Sequence, residues 1–240
     1  MPLRLAGNTR IPVLDRPYPL PHNIITLVIR AFDAAWRHLL KWETIDLATC
    51  NEDEISELLR GILEEARSGI LPLEAGFDSR FFAVVERCAS LTNYNGQKIN
   101  KAPDFIIRPQ QSGAGIYEPL YGVFVESKIV DRGRSFCQEY CQQGLQRFVD
   151  GDYAWTMRDA VMAAYVRTRK AYPDSLAKCL AVPTDKPDPY HTRQLPTPTA
   201  LIISSGPVCT TRHHRPWQFH DTDHSPGPIR LWHLWLKTLS

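Results

Sequence analysis

Asp104, Glu126 and Lys128 are the side chains that sit least easily where the pattern of this 240-residue sequence puts them. Tyr121 to Val130 is otherwise almost wholly apolar and reads as a strand, and Phe105 to Ile107 reads as another. Alternate side chains of a strand share a face, so Phe124, Glu126, Lys128 and Val130 point one way. A carboxylate and an ammonium in such a strand are costly to desolvate unless they are paired, or turned toward solvent or a metal. Asp104 lies 22 residues before Glu126, a separation that suits a hairpin with a long loop and would set the two carboxylates side by side. Two hard carboxylates with open positions for water and phosphate oxygens are ligands for Mg²⁺ or Mn²⁺. Such an ion polarises a phosphate ester and activates water. A lysine two residues from the second carboxylate can hold that water or neutralise charge developing on the phosphate.

The elements that must position these groups follow from periodicity. The segment up to Pro21 is proline-rich and reads as extended, and His22 to Lys41 carries apolar residues at helical spacing. Asn51 and Glu54 have the spacing of a capping box, which opens a second helix with Ile55, Leu58, Leu59, Ile62 and Leu63 as its buried stripe. Phe81 to Val85 reads as a strand, Asn93 to Gly96 as a turn, and Ser112 to Gly115 as a glycine-rich loop. Ser135 to Val149 is the strongest helix, with Ser135 and Gln138 at capping-box spacing and Phe136, Cys137, Tyr140, Cys141, Leu145 and Phe148 on a wide apolar face. Ala160 to Val166 fits a strand or a short helix equally well. Five prolines between Pro183 and Pro198 predict an irregular surface insertion, and strands follow at 200–204 and 229–236.

Bulk composition bounds the class without choosing the chemistry. At 43% hydrophobic and 22% charged residues the chain can bury a core. Its net charge of +2 neither requires nor excludes nucleic acid, since a nucleic-acid enzyme needs a basic groove and not a basic whole. No leader-like N-terminus and no apolar run of membrane-spanning length is present, so the expectation is a soluble, cytoplasmic protein. Six scattered cysteines without a Cys-x-x-Cys pair read as thiols, not as a disulfide framework, with Cys137 and Cys141 packed in the core. One domain over 1–240 is expected, with a helical part at 22–70, a catalytic core at about 50–170, the insertion at 183–198 and strands over 200–240.

Pro103-Asp104, then Glu126-Ser127-Lys128 late in a hydrophobic strand, then an amphipathic helix, resembles the PD-(D/E)xK nuclease superfamily. Pro-Asp recurs elsewhere in the chain, but without a following apolar strand that carries Glu-x-Lys. The resemblance spans roughly residues 50–170 and implies a restriction-endonuclease-like α/β fold, a mixed central sheet flanked by helices. It implies Asp104, Glu126 and the backbone carbonyl of Ser127 as metal ligands, and Lys128 as the catalytic lysine. Many members add an acidic residue from a helix before the first core strand, for which Glu54 and Glu57 are candidates. Many also place a polar residue on the helix after the lysine strand, for which Gln142 and Gln143 are candidates. The exonuclease-type Gln-x-x-x-Tyr pattern is absent.

The expected activity is therefore Mg²⁺- or Mn²⁺-dependent hydrolysis of phosphodiester bonds in DNA, as an endonuclease in a restriction, phage-defence or DNA-processing setting. Lys101, Arg132, Arg134 and Arg147 are the basic residues best placed for backbone phosphates. No ATPase motif or DNA-reading module is evident, so targeting is assigned to a protein partner or to a homo-oligomer. The competing expectation is a nuclease-like subunit that binds or scaffolds without cutting. A third, a zinc hydrolase using His213, His214, His220, His224 and His233, fits no closed-site spacing; Thr211 to Arg215 reads more simply as a cationic loop near the site.

Overall fold

In the computed structural model, residues 17–98, 100–110, 118–133, 135–168, 172–183, 185–219 and 224–238 are described. Helix α1 (His22–Leu39) buries Ile25, Val28, Ile29, Phe32, Ala35 and Trp36, the stripe its sequence predicts. Helix α2 (Glu52–Ser68) opens on the expected capping box: the Glu54 amide donates to Asn51 Oδ1 at 2.9 Å and the Asn51 amide to Glu54 Oε2 at 2.7 Å. It ends at Gly69, whose φ of 82° is the left-handed conformation that terminates helices without a Cβ penalty.

Seven strands form one mixed sheet: β1 (Phe82–Arg87), β2 (Phe105–Pro109), β3 (Val123–Val130), β4 (Asp159–Val166), β5 (Thr192–Ile203), β6 (Gly206–His213) and β7 (Ile229–Lys237). Their order is β1-β2-β3-β4-β7-β6-β5. The β1–β2 and β2–β3 pairs are antiparallel, β3–β4 and β4–β7 parallel, and β7–β6 and β6–β5 antiparallel. The parallel step from β3 to β4 is crossed by a π-helical run, Cys137–Leu145, that passes directly into a short α3 (Gln146–Val149). A further helix, α4 (Tyr172–Leu180), follows β4.

Helices cover both faces of the central strands. Trp36 of α1 stacks on Tyr165 of β4, and Phe32 meets Phe105 edge-on. On the other face the π-helical run lies so close that a Cβ on Gly144 would stand 2.8 Å from Met162 Cε and 3.3 Å from Lys128 Cγ. Any larger residue would have to push the end of the Met162 side chain aside. Every residue of β3 and of β4 is buried, which is why β4 shows no apolar–polar alternation and left strand and helix undecided in the sequence.

Three expectations are corrected. The proline-rich segment is not an irregular insertion throughout: Pro196 and Pro198 lie inside β5. β5 is the last strand of the sheet and pairs only with β6, with register shifts along its length, so a missing N–H on its outer side breaks no ladder bond. Thr211, Arg212 and His213 are not a loop but the end of β6. Cys137 is exposed and disulfide-bonded to Cys179 of α4, Cα to Cα 5.5 Å, while Cys141 alone of the helical pair is buried. Cys137 is the first residue of the π-helical run, where α4 brings Cys179 to meet it. Among the described residues no helix is long and apolar enough to cross a membrane.

Candidate functional site

The site exists because β2 stops early. The last β2–β3 pair toward the C-terminus of β3 is Phe105–Val125, and one step beyond it the register sets Asp104 opposite Glu126. From there on β3 has no strand beside it on that edge, and its outward amides at Ser127 and Ile129 need other partners. Carboxylates supply them. Asp104 Oδ2 accepts from the Ser127 amide at 2.6 Å, and Glu52 Oε2 from the Ile129 amide at 3.0 Å. The Ser127 carbonyl, likewise free of the ladder, accepts from Lys128 Nζ at 2.7 Å.

Glu126 points from β3 into the space under the helical crossover and is 1% exposed. Its Oε1 lies 3.0 Å from both Lys128 Nζ and Arg147 Nη1, and its Oε2 accepts from the Tyr153 hydroxyl. Lys128 Nζ also donates to Glu52 Oε1 at 2.7 Å. Three carboxylates (Asp104, Glu126, Glu52) thus surround two cations (Lys128, Arg147), an excess of one negative charge if all are ionised. The protein feels it. Burial, and then the Glu126 charge, raise the Asp104 carboxyl to about 7 against the pull of Lys128 and the Ser127 amide. Burial also raises Glu126, opposed by Lys128, Arg147 and Tyr153. Burial works against the Lys128 charge, yet Glu126, Glu52 and Asp104 together lift its pKa above the ordinary lysine value.

A carboxyl held above its unfolded value binds its proton more tightly in the fold. Asp104 therefore stabilises the protein at low pH, and that contribution is lost as pH rises from 3.8 through about 7. Asp104→Asn removes the repulsion while its amide oxygen can still accept from Ser127. In denaturant unfolding without divalent ions, the variant should gain about 2–4 kcal/mol over wild type at pH 8. The gain should shrink steadily toward pH 4; a variant less stable at both ends of that range would refute the electrostatic account.

The structure sorts the remaining sequence candidates. Glu54 is spent on the capping box, and Glu57 pairs with Arg60 at 2.7 Å and with Arg87 at 3.4 Å, so neither reaches the site; the acidic residue from α2 is Glu52. Gln142 and Gln143 are exposed and make no hydrogen bond among the described residues. The side chain that the following helix sends to the site is Arg147, tied to Glu126 and not free to hold a phosphate as it stands. Lys101 is paired with Asp152 at 3.0 Å, beside Lys98 at 2.9 Å. Arg132 is exposed just past β3, and Arg134 lies outside the described residues. Glu52, Arg147 in this role and Tyr153 had no periodic signature to find them by, because all three arrive through long-range contacts.

The histidines have another occupation. The His213 Nδ1 must donate to the Tyr190 carbonyl at 2.9 Å, so its Nε2 accepts from the Thr211 hydroxyl at 2.7 Å. Thr211 then accepts from His233 Nε2 at 2.8 Å, and His233 Nδ1 accepts from the Tyr140 hydroxyl at 2.9 Å. Every ring nitrogen of both histidines is committed in a chain that requires them neutral. Burial lowers His213 to about 4 and His233 to about 3, in keeping with that. His220 lies outside the described residues, and Arg215 is buried, not at the mouth of a groove.

For a divalent ion the donors are right in kind: one Asp104 oxygen without a partner among the described residues, Glu126, and a backbone carbonyl turned off the ladder are hard oxygens. Lys128 and Arg147 hold part of that space, and among the described residues no three of His, Cys, Asp and Glu are grouped so that they could hold a metal ion. The chain matches no protein-family model, no curated protein and no solved structure.

Proposed function

We propose that this chain is a metal-dependent phosphodiesterase of the PD-(D/E)xK type acting on DNA, with Mg²⁺ or Mn²⁺ as cofactor. The observation that carries the reading is the register of β2 on β3. It brings Asp104 beside Glu126, with Lys128 Nζ 3.0 Å from the latter, at the one stretch of β3 edge left without a neighbouring strand. The mixed α/β sheet and the acidic Glu52 from the helix before β1 add support, since the resemblance calls for both.

Asp104, Glu126 and the Ser127 carbonyl would hold the ion, which when bound supplies Lewis-acid polarisation of the phosphate and a lowered pKa for water. The residues of the chain do the positioning. Lys128 remains protonated and donates to the developing charge or to the attacking water, with Glu52 fixing its amine. Tyr153 and Arg147 orient the Glu126 carboxylate, and Arg147, 41% exposed against 9% for Lys128, is the cation that would meet a substrate phosphate.

One observation favours the second reading, a nuclease-like subunit that binds without cutting: both Glu126 oxygens already have partners within the chain. Calorimetric titration with Mg²⁺ and Mn²⁺, run beside incubation of supercoiled plasmid and of single- and double-stranded oligonucleotides, separates the two. Metal binding with metal-dependent cleavage is expected. Binding of DNA without metal uptake or cleavage would establish the subunit reading in its place.

A further inference from the structure

At the end of the sheet where β4 and β7 begin, three arginines converge on a cavity of about 450 Å³ whose lining includes Arg158, Arg212, Arg230, Asp159 and Ser225. The register explains how. Asp159 pairs with Arg230 across β4–β7, and Arg230 with Arg212 across β7–β6; Arg158 is the residue just before β4, and its carbonyl accepts from the Arg230 amide at 2.9 Å. Glu126 shares its face with Met162 and His233, whereas Asp159, Arg230 and Arg212 share theirs with Val161 and Trp232. The cavity also lies at the N-terminal ends of β4 and β7, away from Lys128 near the C-terminal end of β3. It is a separate place from the carboxylate site.

Its charge is unbalanced. Among the described residues three guanidiniums face one carboxylate, and that carboxylate is engaged: Asp159 Oδ1 accepts from Arg230 Nε and from Trp232 Nε1. The Arg158 and Arg212 side chains are exposed and make no ion pair among the described residues. Like charges directly opposite on neighbouring strands destabilise a sheet, and Arg212 opposite Arg230 is such a pair. An anion between them relieves the repulsion. The cavity is also built, not incidental. Arg230 is anchored over the Trp232 ring, 5.0 Å from its centroid. The loop on its far side is held from beneath by the buried Arg215, which donates to the carbonyls of Pro226 and Gly227. Forked guanidiniums are suited to phosphate oxygens, and the exposed ring of Pro228 offers apolar surface for the remainder of a ligand.

We infer that this cavity binds the terminal phosphate of a nucleotide, either free or at the 5′ end of a strand, independently of the carboxylate site. The volume is of the size that holds a small ligand. Titration calorimetry of the full chain with AMP, ADP, inorganic phosphate and a trinucleotide with or without a 5′-phosphate tests it. Saturable binding of at least one phosphorylated probe is expected, weakening with added salt, and the 5′-hydroxyl trinucleotide should bind at least ten-fold more weakly than its phosphorylated form. Binding by the mononucleotides alone identifies a small-molecule site; equal binding by the phosphorylated trinucleotide identifies a strand end. Arg158→Gln with Arg212→Gln, both exposed positions without ion pairs, should weaken binding at least ten-fold, and Glu126→Gln should leave it unchanged. No binding by wild type at millimolar probe, unchanged affinity in the double variant, or loss of binding in Glu126→Gln would each overturn the inference.

Discussion

Glu126→Gln is expected to lower Mg²⁺-dependent cleavage by about 10³-fold while the protein stays folded. Glutamine keeps the volume and can still accept from Tyr153, so the substitution changes charge far more than shape. Lys128 keeps Glu52 at 2.7 Å, and Arg147, already 41% exposed, can turn to water. Breaking a buried pair is costly when it strands a charge, and neither cation is stranded here. What disappears is the carboxylate that faces Asp104, and with it the pair of hard donors a divalent ion requires. The pH profile provides a second readout. At limiting metal, wild-type cleavage should climb as pH rises through about 7, where Asp104 ionises, and bound metal should move that step lower. In Glu126→Gln the Asp104 carboxyl loses a repelling neighbour and its pKa should fall. Plasmid cleavage at the wild-type rate by the purified variant would remove Glu126 from the chemistry altogether.

Arg215→Met is expected to cost about 3–5 kcal/mol of stability, the largest loss from a single side chain outside the site. Arg215 is fully buried, and among the described residues its guanidinium meets no carboxylate. It donates instead to four carbonyls: Gly227 at 3.0 Å, Pro226 at 2.8 Å, Met157 at 3.1 Å and Trp155 at 3.2 Å, with Trp217 stacked 5.3 Å away. Burial brings its pKa down to about 9, which still leaves it charged at neutral pH. Methionine fills the space of the stem but leaves four acceptors without donors in an apolar setting. Thermal unfolding should drop by roughly 10 °C for a chain of this size. Arg215→Lys should fall between the two, since a compact ammonium cannot reach in two directions at once. A methionine variant within about 1 kcal/mol of wild type would show that water can replace the guanidinium there.

Much of the frame was legible because local chemistry and tertiary need agree. Asn51 and Glu54 fix the start of α2 wherever the helix is placed, and the short apolar tracts at 105–107 and 121–130, bounded by turn residues, read as the strands they are. A hairpin with a long loop between these tracts sets Asp104 beside Glu126, and the observed register has them opposite; with β3 buried on both faces, no apolar–polar alternation fixes that register from the sequence. The rest depended on partners that a local window does not contain. α4 is nine residues long and drew no expectation; its Pro173 sits in the first turn, where a missing N–H costs nothing. β5 carries prolines tolerated only because of its place in the sheet order. Glu52 reaches Lys128 across 76 residues, and Tyr153 reaches Glu126 from the far side of the crossover. Cys137 and Cys179 are brought together across 42 residues by the packing of α4 beside the π-helical run.

The two borders of the sheet have a bearing on how copies of this protein can meet. At β1 the Val85 amide is taken by Glu64 at 3.3 Å and the Phe82 carbonyl by Arg67 Nη1 at 3.3 Å, so side chains of α2 occupy part of the row where a further strand would hydrogen-bond. At β5, prolines and register shifts spoil the opposite row. Polymerisation by strand addition is therefore hindered at both margins. Helical surfaces and loops are therefore the places where protomers meet most readily, and interface mutagenesis is best aimed there.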